Sequence, residues 1–233
     1  MSDRYFVDAL RDKGYKIRLS QGFGNRINLL VFLSKYKLPF VWVKDNNISE
    51  SYENIIDFSD TGIDISFEPN NSNLHLEMAK YPGFKPTVKI PAGPNLIIKK
   101  WFSTGVDLSI VNKLKPGAKV NKNLIKLPEN TTGYSIRRHY ADKKSAEIFD
   151  VPGRSFLTTD CEEQRKYSNN AIQLNSRTTE QVLSTDGRHM TVSKNLTDIA
   201  ADWFQLRRCE RIVRLGHLST FAEALCIFKN CIK

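Results

Sequence analysis

Three short stretches of this chain combine residue types that can hold an anion. The first is Gly22-Phe23-Gly24-Asn25-Arg26. It follows the strand-like run Tyr15 to Leu19 and precedes Ile27 to Tyr36, which is apolar at helical spacing. Two glycines let the backbone approach a ligand, and the first turn of the following helix offers free N–H groups and a positive dipole end. A plain strand-to-helix turn would use the same residues. The second stretch is Ser135-Ile136-Arg137-Arg138, inside the strand-like Gly133 to Arg138. Alternation puts Ser135, Arg137 and His139 on one face. An arginine at the C-terminal end of a parallel strand points into the crevice where such sheets bind ligands, and its planar fork suits a diphosphate. On an edge strand the same cations would simply face water. The third stretch is Ser219-Thr220-Phe221, just after His217. Ser219 and Thr220 can cap a helix predicted over Ser219 to Phe228, and that helix start is again a place for an anion.

These residues lie far apart in the chain, so the elements between them must bring them to one edge. Pro39 to Val43 is a continuous apolar run, as in a strand buried on both faces. Strand, helix, strand at the start implies a parallel sheet. The middle is less regular. Strand-like pieces occur at Ile63 to Phe67, Val88 to Ile90 and Leu96 to Ile98, between several prolines, and Asp107 to Leu114 has a helical pattern. After Asn130 the alternation returns. Strands are predicted at Arg154 to Thr158 (ending at Thr159-Asp160), Ala171 to Leu174, Gln181 to Ser184 and Arg211 to Leu215. Helices are predicted at Glu162 to Ser168 and Leu196 to Arg208. The expected fold is α/β with two domains, 1–125 and 126–233.

The 233 residues suffice for one large domain or two small ones, and the net charge of +10 favours anionic partners: nucleotide phosphates, nucleic acid or an acidic membrane face. No RRM, KH, helix-turn-helix or zinc pattern accompanies that charge, so no nucleic-acid partner is expected. Cys161, Cys209, Cys226 and Cys231 show no CxxC or Cys/His ligand spacing, which predicts reduced thiols in a cytosolic protein. The opening MSDRYFVDALRDKGYK is charged, and no apolar run approaches the roughly 20 residues that span a bilayer. The expectation is a cytoplasmic protein without a transmembrane segment, with room for peripheral membrane contact. No D-x-D stands in the chain, so no metal site is expected.

Taken in order, GFGNR, IRR on a strand, TTD after a strand, and DWxxLxxCxxIV followed by STFxE resemble the α-1,2-, α-1,6- and protein O-fucosyltransferases and their bacterial relatives. The resemblance covers residues 17–37 and 133–228. It implies a GT-B-like pair of Rossmann-like parallel-sheet domains facing a cleft. The N-terminal domain would be small and irregular on the acceptor side, and the C-terminal domain would bind the nucleotide sugar. The implied reaction is metal-independent, inverting transfer of a sugar from a nucleotide diphosphate, GDP-fucose first, to a glycan, with no cofactor. Arg137 falls on the first arginine of the family motif H-x-R-R-x-D and would hold the donor β-phosphate as the catalytic group; Arg138 would support the fold. Asp202 matches an aspartate that faces the base, and Ser219 and Thr220 match a Ser-Ser pair near the diphosphate. With Gly22, Phe23, Gly24, Asn25, Arg26, Ser135, Asp160, His217 and Phe221 they make up the implied substrate-binding set.

Two positions depart from the motif. Ser135 stands where the family has histidine, which helps hold guanine in some members, and Tyr140 where it has aspartate. The donor base therefore stays open, and a UDP-sugar or another GDP-sugar on the same scaffold is an alternative. So are a nucleotide-sugar binder without turnover and, from charge alone, a basic nucleic-acid-binding protein. Glu50, Glu53, Asp60, Glu68 and Glu77 are candidate bases for the acceptor hydroxyl. Tyr81 and Trp101 are candidate stacking residues.

Overall fold

The alternating charged and apolar residues Lys16–Leu19 form β1, and its neighbours in space come from far along the chain. The computed structural model describes residues 16–19, 23–24, 27, 30, 40–44, 54–69, 75–76, 95–98, 109–137, 148–174, 179–183, 189–193, 195–216, 221–222, 225–226 and 231–232. By contact the chain divides into two compact units, Met1–Lys115 and Pro116–Lys233.

In the first unit the strands are β1, β2 (Phe40–Lys44), β3 (Ile56–Asp57), β4 (Ile65–Pro69), β5 (His75–Leu76) and β6 (Asn95–Ile98). Five of them form a sheet in the order β4-β2-β1-β6-β5, with every pair parallel. The chain winds from β1 first to one side and then to the other. Its switch point lies between β1 and β6, where Leu19 stands opposite Ile98. Phe23, Gly24, Ile27 and Leu30 are helical and buried, at the spacing of one helix face. Helical structure is thus already present at Phe23 and Gly24, earlier than the Ile27 expected from the glycine turn. A helix at Ser109–Lys113 buries Ile110 and Val111. The unit ends at β7 (Lys115–Pro116), within which the division of the chain falls.

In the second unit β8 (Thr132–Arg137), β9 (Phe156–Thr159), β12 (Arg211–Gly216) and β13 (Cys231–Ile232) form a parallel sheet in the order β13-β12-β8-β9. The helix Leu196–Arg208 covers one face. Asn195 starts it, its side-chain oxygen accepting from the Asp198 N–H at 3.2 Å. Trp203, Phe204 and Leu206 are buried on this helix, and Gly133 lets it come close: a Cβ there would sit 2.5 Å from Leu206 Cδ1 and 2.9 Å from Cys209 Sγ. Ile136, Val151, Leu157 and Ala171 form a second cluster. A short helix, Ala118–Asn123, packs on Leu196–Arg208. Next to it, the buried Gln205 amide accepts from the Ile125 N–H and donates to the Ile125 carbonyl, both at 3.0 Å. These contacts place residues 116–125 with the second unit.

Four local expectations are corrected. β10 (Thr179–Leu183) pairs antiparallel with β11 (His189–Ser193), so not every strand here belongs to a parallel sheet. Ala171 to Leu174 is not a strand; Ile172 makes one isolated bridge to Phe156, because the chain turns at 168–171 directly before it. Phe221 and Ala222 lie in a turn and helical structure is seen at Leu225 and Cys226, so Phe221 lies outside the helix predicted from Ser219. Cys226 is disulfide-bonded, whereas Cys161 and Cys209 are buried thiols outside any disulfide. Sulfurs meet through tertiary folding, which their spacing in the sequence does not reveal. Among the described residues, no helix is long and apolar enough to cross a membrane.

Candidate functional site

Arg137 is the last residue of β8, the first strand laid into the second sheet. From β8 the chain passes to β9 on one side and returns to β12 on the other, so the topological switch point lies between β8 and β12. Open parallel sheets bind ligands beside the C-terminal ends of their strands at such a point. The register puts Gly216, the last residue of β12, directly opposite Arg137. Gly216 has φ 74°, and a Cβ there would fall on the Arg137 carbonyl oxygen. Only glycine lets the chain turn at this point against the end of β8.

The Arg137 guanidinium carbon lies 4.1 Å from the centroid of the Phe221 ring. Its Nε is buried and has no hydrogen-bond partner. Burial pushes the guanidinium below its ordinary range, and the charge of Asp160 pushes it back up. Asp160 directly follows β9, the strand beside β8. The result is a cation held on an aromatic face, with an N–H that no protein oxygen satisfies. A buried, unmet donor of this kind costs free energy until an acceptor arrives, and an anionic oxygen is the strongest acceptor.

Deeper along the same face, Ser135 stands opposite Thr158 in the register, and both are buried. The Thr158 hydroxyl donates to Asp202 Oδ2, and Asp202 is itself buried on the helix Leu196–Arg208. That helix runs against the strands, since Leu206 and Cys209 lie at Gly133 near the start of β8. From Gly133 to Arg137 the strand rises about 13 Å. The same length of helix, counted back from Leu206, reaches Thr197. The N-terminal turn, with its positive dipole end, is therefore level with Arg137 at the same sheet edge.

Of the residues expected to form the site, Arg137, Asp160 and Phe221 come together, and Ser135 and Asp202 gather around Thr158. Phe23 and Gly24 are buried in the first unit. Gly22, Asn25, Arg26, Arg138, His139, Tyr140, His217, Ser219 and Thr220 lie outside the described residues, as do Glu50, Glu53, Glu77, Tyr81 and Trp101. Asp60 is exposed and pairs with Lys115 at 2.6 Å, and Glu68 lies in β4. Sequence reasoning missed Gly216, Thr158 and the start of the helix Leu196–Arg208. A glycine directly after the RIVRL strand was the available signal for the first.

No family model and no curated protein matches the chain. Solved structures do. The fucosyltransferase NodZ from Bradyrhizobium is 11% identical, with 93% of each chain covered and a TM-score of 0.50. A NodZ α-1,6-fucosyltransferase structure soaked with GDP-fucose is 12% identical, covering 93% of this chain and 92% of that one at a TM-score of 0.49. Two parallel α/β sheets in one chain, aligned over nearly the whole length of a fucosyltransferase, make this a fucosyltransferase-like fold.

Proposed function

We propose that the protein is a glycosyltransferase that takes a sugar from a nucleotide diphosphate, GDP-fucose first, and passes it to a glycan without a metal ion. The observation that carries this reading is Arg137: an arginine at the switch point of a parallel sheet, held over the Phe221 ring, with a buried Nε that lacks a partner. The shared fold with a fucosyltransferase and the motif order along the sequence support the same assignment. In this reading the second unit binds the donor and the first unit serves the acceptor.

The chemistry asks for charge neutralisation. As the bond from the anomeric carbon to the phosphate oxygen breaks, negative charge grows on the leaving diphosphate and positive charge on the sugar ring. Arg137 meets the former, aided by the dipole of the helix starting at Leu196 and by whatever Ser219, Thr220 and His217 add. Preorganised positive groups of this kind supply the largest part of many rate enhancements. The acceptor oxygen attacks from the face opposite the leaving group and inverts the centre. Of the candidate bases, Asp60 and Glu68 are among the described residues, and the pairing of Asp60 with Lys115 makes Asp60 a poor one.

A second reading keeps the scaffold and changes the donor. Ser135 is buried beside the Thr158–Asp202 pair, where the family motif has histidine, so a base other than guanine would be read there. A thermal-shift panel with GDP, UDP, ADP and CMP in EDTA, on the native chain and on Arg137→Ala, tests both. A ligand at 100 times its dissociation constant stabilises by about 2.7 kcal/mol. The expected outcome is stabilisation by GDP that falls sharply in the variant. Stabilisation by UDP instead would select the second reading, and silence to every nucleotide would overturn the donor site.

A further inference from the structure

We propose that Phe221 is a positioning residue: its ring fixes the Arg137 guanidinium at the sheet edge, and it acts on the donor through that arginine without touching the donor itself. This rests on the reading of Arg137 as the group that meets the diphosphate.

Arginine has a long, flexible side chain, and hydrogen bonds usually hold its head in place. Here Nε has none, so something else must select the rotamer. The Phe221 ring, 4.1 Å from the guanidinium carbon, offers its negative face to the cation. That ring is itself fixed. Phe221, Ala222 and Leu225 are all buried, and the Cys226 N–H donates to the Ala222 carbonyl at 2.8 Å, tying the turn to the helical residues after it. The ring meets the cation without taking the Nε–H in a hydrogen bond, where a hydrogen-bonded carboxylate would have used it up. An aromatic support therefore holds the cation while keeping its donors available for a ligand. Asp160 acts on the same cation through its charge.

Residues 217–220 join Gly216, which abuts the Arg137 backbone, to Phe221, which carries the Arg137 head. Both ends of that segment are thus keyed to one arginine.

The test is NMR on the full chain, following the Arg137 Nε–Hε resonance, assigned by its loss in Arg137→Lys. Stacking displaces that proton upfield in the native protein. Phe221→Met fills much of the same volume without a ring, so it should abolish the displacement and weaken GDP binding by about five- to tenfold. Phe221→Tyr should restore both. In an Arg137→Ala background, Phe221→Met should cost no further affinity, as expected for two residues acting as one unit. The proposal is overturned if the native resonance lacks the upfield displacement, or if Phe221→Met leaves the resonance and the affinity unchanged. It also falls if Phe221→Met weakens GDP equally in the presence and absence of Arg137, which would mean direct contact. Reading the native resonance needs no ligand, and only a folded Arg137→Lys chain to assign it. A protein that stacks Arg137 on Phe221 but ignores GDP would therefore sink the donor reading and leave the positioning role standing.

Discussion

Burying a cation is costly, and the fold accepts that cost at Arg137 with an aromatic face and a nearby carboxylate as the described compensation. Gly216 is part of the same arrangement. Replacing it with alanine forces a side chain into the left-handed region and onto the Arg137 carbonyl oxygen. Gly216→Ala should lower stability by about 1–3 kcal/mol, readable as a shift of the urea midpoint. A variant as stable as the native chain would mean that this close approach is not required. Thr158 is the other residue whose role was hidden. Thr158→Val keeps the shape and removes the hydroxyl that Asp202 accepts from. A buried carboxylate deprived of a donor should cost about 1–3 kcal/mol, measured in the same way.

Among the elements, the helix Leu196–Arg208 does the most to organise the second unit. Its apolar face packs on β8 and β9, its start reaches the level of Arg137, and its buried Gln205 binds both backbone groups of Ile125. Gln205→Leu should therefore act at a distance in sequence. The Ile125 N–H should exchange with solvent much faster, and global stability should fall by about 1–3 kcal/mol. Gly133 is where helix and sheet meet most closely. Gly133→Ala would press on Leu206 and Cys209, and a loss of similar size is expected unless Leu206 is shortened in the same chain. Hydrogen exchange on the pair of single variants separates the two effects, since only Gln205→Leu should free Ile125.

For the whole molecule, the net charge of +10 sets long-range attraction to anions without choosing one. A local site built around Arg137 predicts nucleotide binding with a shallow salt dependence, because few charges are neutralised. A nucleic-acid-binding surface predicts the steep loss with salt that accompanies counterion release. Titrating GDP and a mixed-sequence RNA between low and physiological salt separates these. The expected result is retained GDP binding and no RNA binding at physiological salt. Tight RNA binding with a steep slope would move the assignment to the nucleic-acid reading.

Much of the framework was legible in the residues themselves. The helix Leu196–Arg208 is legible from its strong apolar period, but not that its start would stand beside Arg137. β1, β2, β8 and β12 were found within a residue or two from their apolar runs, and Arg137 stood out by its place on a strand. What periodicity cannot carry is pairing. Nothing in Gln181 to Ser184 says that β10 turns back antiparallel on β11, or that Ile172 makes a single bridge. Nor could spacing show that Gly216 would lie opposite Arg137, that Phe221 would stack on it, or that Thr158 would reach Asp202 across 44 positions. The sequence by itself determined which segments were strands and helices and which residues could hold an anion, since those follow from local chemistry. Only the tertiary structure decided which of them meet, because sheet order and helix packing join residues whose attraction is felt after the chain has folded.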